Sequence, residues 1–183
     1  IDPDVQADER TSLVEFLDYH RATFLNRIDG LDHEQLNRRL APSSLTLAGL
    51  TKHLALVEDS WFHEDFLGVA LPEPWASAPF DQDPDWEHHS AVDDQPADLA
   101  ALYVAACDRS RAIVAAADSL DTLSARISQR EARAFSLRWI MLHMIEETAR
   151  HHGHADFHAR RSTASSANRR GPRGTCPCQP RQR

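Results

Sequence analysis

Apolar residues recur along this chain at intervals of three and four, the period of helices that bury one face. From about Asp8 to Ile28 the positions Leu13, Phe16, Leu17, Phe24, Leu25 and Ile28 share one side, and Gly30 supplies a stop. Leu31 to Leu36 reads as a short helical turn, with Asp32 as N-cap and Gln35 reaching back to it. Thr46 then opens a second long helix that runs to about Leu67 and ends at Gly68, with Leu50, His53, Leu54, Val57 and Trp61 on a common face. The helical period is lost from Gly68 to about Gln95, where Pro72, Pro74, Pro79 and Pro84 lie among acids with Trp75, Phe80 and Trp86. A connection of that length inside a compact domain normally has a function, and the tryptophans are expected to anchor it on the bundle.

Pro96 is suited to the first position of a third helix, which continues through Leu99, Leu102, Tyr103, Ala106, Ile113 and Val114. Ser119 to Ala134 reads as a short hairpin or an irregular loop, and Ser136 caps a fourth helix from Leu137 to about Arg160. The pattern predicts an all-α fold, a four-helix bundle with a long crossover between helices 2 and 3.

Charge divides the chain of 183 residues in two. Residues 1–159, the expected bundle, hold 13 Lys and Arg against 28 Asp and Glu, a net charge of −15. Residues 160–183 hold seven arginines and no acid, lack apolar periodicity, and are expected to form a disordered basic tail. So acidic a body argues against nucleic acid and against an anionic membrane surface as partners. No apolar run has the length of a membrane span and the first ten residues are polar, so a cytoplasmic protein is expected. Cys107, alone in the body, reads as a buried small hydrophobe; Cys176 and Cys178 in the tail lack the second pair a structural zinc site needs.

The fourth helix carries the candidate chemistry. Ile140, His143, Met144, Glu147, His151, His154 and His158 form one stripe, apolar at first and rich in ligands afterwards. Glu147 and His151 are four residues apart and so are neighbours on one helix face, where a carboxylate and an imidazole can converge on a cation. His53, on an apolar face of helix 2, is the candidate third ligand. A single histidine on such a stripe is more often structural; a carboxylate on it changes the odds, because a buried carboxylate needs a metal or an arginine to neutralise it. His154 and His143 are the candidate acid/base groups. His152 points about 100° away from His151, and His20, His33, His63, His88 and His89 read as ordinary surface residues.

The segments Leu50-Thr-Lys-His-Leu-Ala-Leu-Val-Glu-Asp-Ser-Trp-Phe62 and Leu137-Arg-Trp-Ile-Met-Leu-His-Met-Ile-Glu-Glu-Thr-Ala-Arg-His-His-Gly-His-Ala-Asp156 together resemble the DinB-like superfamily. With Pro72-Glu-Pro-Trp75 and Asp83-Pro-Asp-Trp-Glu87 the chain is most similar to its actinobacterial mycothiol-dependent branch, over roughly residues 8–158. The resemblance implies an up-up-down-down four-helix bundle holding a divalent metal, zinc or alternatively nickel, on one helix-2 histidine and an i, i+4 pair of the last helix. That pair is Glu-xxx-His in the mycothiol-dependent isomerase, the form present here as Glu147 and His151. The His-Arg-Gly-Gln ending of the general family is replaced by His151-His-Gly-His154.

The expected function is transfer of a low-molecular-weight thiol, with mycothiol as co-substrate, to a small electrophile. Metal-dependent hydrolysis or isomerisation and a non-catalytic metal-binding stress protein stand as alternatives, and a homodimer is the candidate assembly. A zincin protease and a ferritin-like di-iron protein are disfavoured, because the sequence has neither His-Glu-x-x-His nor Glu-x-x-His.

Overall fold

The computed structural model describes residues 2–39, 44–128 and 130–168, with side chains described as far as residue 153. Helix α1 spans Glu9–Ile28 and begins where Asp8 accepts a hydrogen bond from the Thr11 amide at 3.0 Å. It buries Leu13, Leu17, Phe24 and Ile28. The turn α2, His33–Leu36, has the reciprocal Asp32–Gln35 capping box. Thr46 caps α3, Leu47–Glu58, by accepting from the Gly49 amide at 3.0 Å.

The second long helix is not α-helical to its end, as its period had suggested: Asp59–Phe66 continues α3 as a π-helical segment. Contacts from elsewhere support the wider turn. The amides of Ala125 and Arg126 donate to the carbonyls of Phe66 and Asp65 at 2.9 and 3.1 Å, and Arg109 holds the buried Asp59 carboxylate through two nitrogens at 2.9 and 2.8 Å. These bonds lie outside the reach of local periodicity.

The crossover is ordered by its tryptophans, as expected. Trp75 is 3% exposed, packs in the core, and donates its indole N–H to Asp59 at 2.8 Å. Lys52 lies over the Trp86 ring at 4.5 Å and reaches Asp94 at 2.6 Å. Between them runs α4, Trp86–Ser90, only five residues long. Helix α5, Pro96–Ala116, starts with proline in its first turn, and α6 spans Leu137–Asn168. The link between α5 and α6 is an irregular hairpin with single bridges at Leu123–Ser136 and Ser128–Arg133. The boundary drawn after residue 159 falls inside the backbone of α6, and residues 169–183 of the basic tail lie outside the described residues.

Side-chain contacts fix the helix directions. Glu9 pairs with Arg138 at 2.7 Å and His20 lies 3.4 Å from His152, so α1 and α6 run parallel. Lys52 meets Asp94 and Asp59 meets Arg109, so α3 and α5 run parallel. Arg10 donates to the carbonyls of Val114 and Ala117 while Phe24 packs on Tyr103, which makes α1 antiparallel to α5. The order is therefore up, down, down, up, and the expected up-up-down-down succession is corrected. One long crossover yields one parallel pair of consecutive helices; up-up-down-down needs two.

Buried ion pairs tie the helices together inside. Arg21 of α1 and Glu58 of α3, 3% and 1% exposed, are joined by two bonds of 2.8 and 2.6 Å. Cys107 of α5 lies against the same carboxylate at 3.9 Å, and burial together with that charge pushes its thiol up to about 12. No helix among the described residues is long and apolar enough to cross a membrane.

Candidate metal centre

Antiparallel packing of α3 on α6 brings the three expected ligands together. Oε1 of Glu147 is 3.0 Å from Nε2 of His151, one turn along the same helix, and 3.8 Å from Nε2 of His53 across the interface. One donor atom from each residue lies within 4.8 Å of the other two. The rings of His53 and His151 meet edge to face with centroids 5.2 Å apart. Donors around one tetrahedral cation at 2.0–2.2 Å stand roughly 3.4 Å from each other, so small side-chain movements suffice to close this set. Two imidazoles and a carboxylate are a donor set suited to zinc and acceptable to nickel.

His53 is held by a residue that the sequence reading passed over. Its Nδ1 lies 2.9 Å from Oε1 of Glu87, a side chain 5% exposed on α4. An ionised carboxylate can only accept, so Nδ1 carries a proton, and the ring in its neutral form presents its lone pair at Nε2, toward Glu147. A carboxylate behind a histidine is the usual means of fixing a metal-binding imidazole in tautomer and direction. Burial pushes the Glu87 carboxyl up, but the hydrogen bond from His53, its own backbone amide and the nearby imidazoles outweigh that and hold it below its ordinary value.

His88 does not lie on the open surface. Its ring stacks on His53 with centroids 4.8 Å apart, and Nε2 is 3.7 Å from Glu87. Burial, followed by the neighbouring charge of His53, lowers its pKa and favours the neutral ring. His53, Glu87 and His88 thus make a second group with metal-ligating atoms, sharing His53 with the first. The close approach of α4 to α3 depends on Gly49: a Cβ there would stand 3.1 Å from Nδ1 of His88 and 3.3 Å from its carbonyl oxygen.

Of the other histidines read as surface residues, His33 and His89 are exposed, whereas His20 and His63 are half-buried. The signal for Glu87 and His88 in the sequence was slight. A five-residue helix shows no periodicity, and only the run Trp86-Glu-His-His89 beside an anchoring tryptophan could have drawn attention to it.

The two acid/base candidates differ in what can be said of them. The side chain of His154 lies outside the described residues. His143 is one turn before Glu147 on α6, half-buried between Trp139, stacked at 5.2 Å, and Trp61, edge-on at 4.6 Å. It lines an open groove with those two rings instead of joining the triad.

Comparison with known proteins bears on this geometry. Residues 12–162 match the family model described as Mycothiol-S-transferase, a span that contains both halves of the triad and Glu87. No curated protein matches the chain.

Proposed function

The chain belongs to the mycothiol-S-transferase family, and from that premise we propose that it transfers mycothiol to a small electrophile at a divalent metal held by His53, Glu147 and His151. The observation that carries the reading is the Glu87–His53 hydrogen bond of 2.9 Å, which commits Nε2 of His53 to the space shared with Glu147 and His151. A buried carboxylate behind an imidazole, facing a second carboxylate and a second imidazole, suits a cation better than a purely structural hydrogen-bond network. When bound, a divalent cation supplies Lewis acidity that makes a thiol a stronger acid at neutral pH. Zinc is the metal proposed, with nickel as the alternative, and a reducing, cytoplasmic compartment suits the thiol.

The residues of the chain then divide the work. Glu87 orients His53, and the half-buried position of the triad limits water around the reacting sulfur. His143, one turn away on the same stripe, takes the proton from the thiol as the sulfur pair forms the new S–C bond. In a displacement the C–X pair departs with the leaving group, which receives that proton from His143. Acid/base assistance of this kind contributes about 10²–10⁴-fold.

Metal stoichiometry and thiol-transfer rate, measured together over a panel of thiols that includes mycothiol, test the reading. His151→Ala is expected to lose metal and activity together, since it also strands the Glu147 carboxylate. His143→Ala is expected to keep the metal and slow transfer by about 10²–10⁴-fold. A metal-loaded, unmodified protein that turns over no thiol with any electrophile in the panel refutes the transferase reading and leaves hydrolysis, isomerisation or simple metal binding.

A further inference from the structure

Phe135, Trp139, His143, Glu147 and His151 follow one another at intervals of four residues, so a single stripe of α6 and its approach leads from the hairpin to the candidate metal centre. Its first part is a ladder of rings. Phe135 stacks on Trp139 with centroids 4.4 Å apart and Trp139 stacks on His143 at 5.2 Å, while Trp61 lies against all three at 4.6 to 5.4 Å. Despite that packing, Trp139 keeps 44% of its surface exposed. The open side of the ladder faces a groove of about 1150 Å³ between the π segment, the 119–136 hairpin and the start of α6.

The rim is charged. Arg126 is paired with Glu64 at 2.7 Å and Arg130 approaches Glu131 at 3.7 Å, but Arg133 has no ion-pair partner among the described residues. Asp65 also lines the groove, and burial followed by the charge of Glu64 raises its pKa. The ladder turns the edges of its rings to the groove, since Phe135 and His143 cover the two faces of Trp139. A row of aromatic edges with a guanidinium at the rim that is free of ion pairs among the described residues fits a flat ring bearing a carboxylate, because the guanidinium fork matches that group and the exposed indole edge meets the face of the ring.

We propose that this groove is the acceptor subsite, and that it takes planar aromatic electrophiles carrying a carboxylate. The proposal rests on the transferase reading and names its second substrate class. The four-residue turn from His143 to Glu147 spans about 6 Å of helix axis, so a ring seated against the edges of Trp139 and His143 lies about one helical turn from the triad. Thiol and acceptor would then approach each other along the α3–α6 interface, with His143 between them.

The test measures binding with the thiol left out. Metal-loaded protein is titrated with 4-chloro-3-nitrobenzoate and with its uncharged methyl ester, following quenching of tryptophan fluorescence and confirming Kd by calorimetry. The acid is expected to bind about five-fold more tightly than the ester, as a charge-assisted pair at a partly exposed site allows. Trp139→Ala is expected to weaken both by about ten-fold, through loss of the edge-to-face and apolar contact. Arg133→Ala is expected to weaken the acid alone and erase its advantage.

Equal affinity for acid and ester, or affinities unmoved by both substitutions, overturns the proposal. An advantage of the acid that survives Arg133→Ala also overturns it, since the carboxylate is then bound elsewhere. Light scattering decides a further case: a dimer that becomes monomeric in Trp139→Ala with probe affinity unchanged makes this face a contact between copies, not a subsite. Binding that behaves as expected in a protein that turns over no thiol sinks the transferase reading and leaves the groove standing.

Discussion

Replacing Glu87 tests whether the crossover positions a metal ligand or only fills space. The side chain is 5% exposed and accepts from Nδ1 of His53 at 2.9 Å, while its second oxygen has no hydrogen-bond partner among the described residues. A hydrogen bond to a charged group contributes about 1.5–3 kcal/mol. Removing the partner that orients a metal-binding histidine lowers affinity by about 10–100-fold, or about 1.4–2.8 kcal/mol, so the two estimates agree. Glu87→Ala leaves Nδ1–H without its acceptor and lets the ring turn, and is expected near the 100-fold end. Glu87→Gln keeps an oxygen acceptor of the same reach without the charge, and is expected near 10-fold. Gly49→Ala acts at a distance: its methyl stands 3.1 Å from the His88 ring, so α4 must shift and Glu87 with it. Competitive titration of metal-free protein with zinc against a chromophoric chelator gives the affinities, and urea unfolding of the same samples separates loss of fold from loss of orientation. Zinc affinity in Glu87→Ala within about two-fold of the unmodified protein, with folding intact, refutes the positioning argument.

The remaining predictions concern stability. Glu58→Ala leaves the Arg21 guanidinium buried without its carboxylate and is expected to cost about 3–5 kcal/mol in urea unfolding, whereas replacing both with apolar residues of similar size is expected to recover most of it; equal losses in the single and double variants contradict this. Cys107 links stability to alkaline pH: burial, then the charge of Glu58, raises its thiol from an ordinary 9.0 to about 12. The unfolded chain therefore loses this proton from about pH 9 while the folded protein keeps it, and stability falls as pH rises between 9 and 12 by about 1.4 kcal/mol per unit. Cys107→Ala is expected to lose about that much less between pH 10 and 11 than the unmodified protein; identical losses rule out the thiol as the cause. Alkylation at pH 8 is expected to reach Cys107 only as fast as the protein opens, since a thiol this high is neutral and enclosed.

The local sequence was enough to place Asp8, Thr46 and Ser136 at helix starts, Gly30 and Gly68 at helix ends, and Glu147 and His151 on one face. Each of these depends on residues within about one helical turn, where the period and the capping bonds act. His53 could be read as inward-facing for the same reason, and its convergence with the α6 pair followed once both stripes had to share one core. Packing decided the rest. Glu87 is 34 residues from His53 in sequence and reaches it only because Trp75 docks on Asp59, Lys52 and Trp86 hold α4 down, and Gly49 leaves room for His88. The π segment, the down-down pairing of α3 and α5, and the groove on the Trp139 ladder likewise rest on contacts between distant segments. Periodicity and capping act over a few residues, whereas these contacts depend on which faces the assembled helices bury together, and that is settled by the tertiary structure.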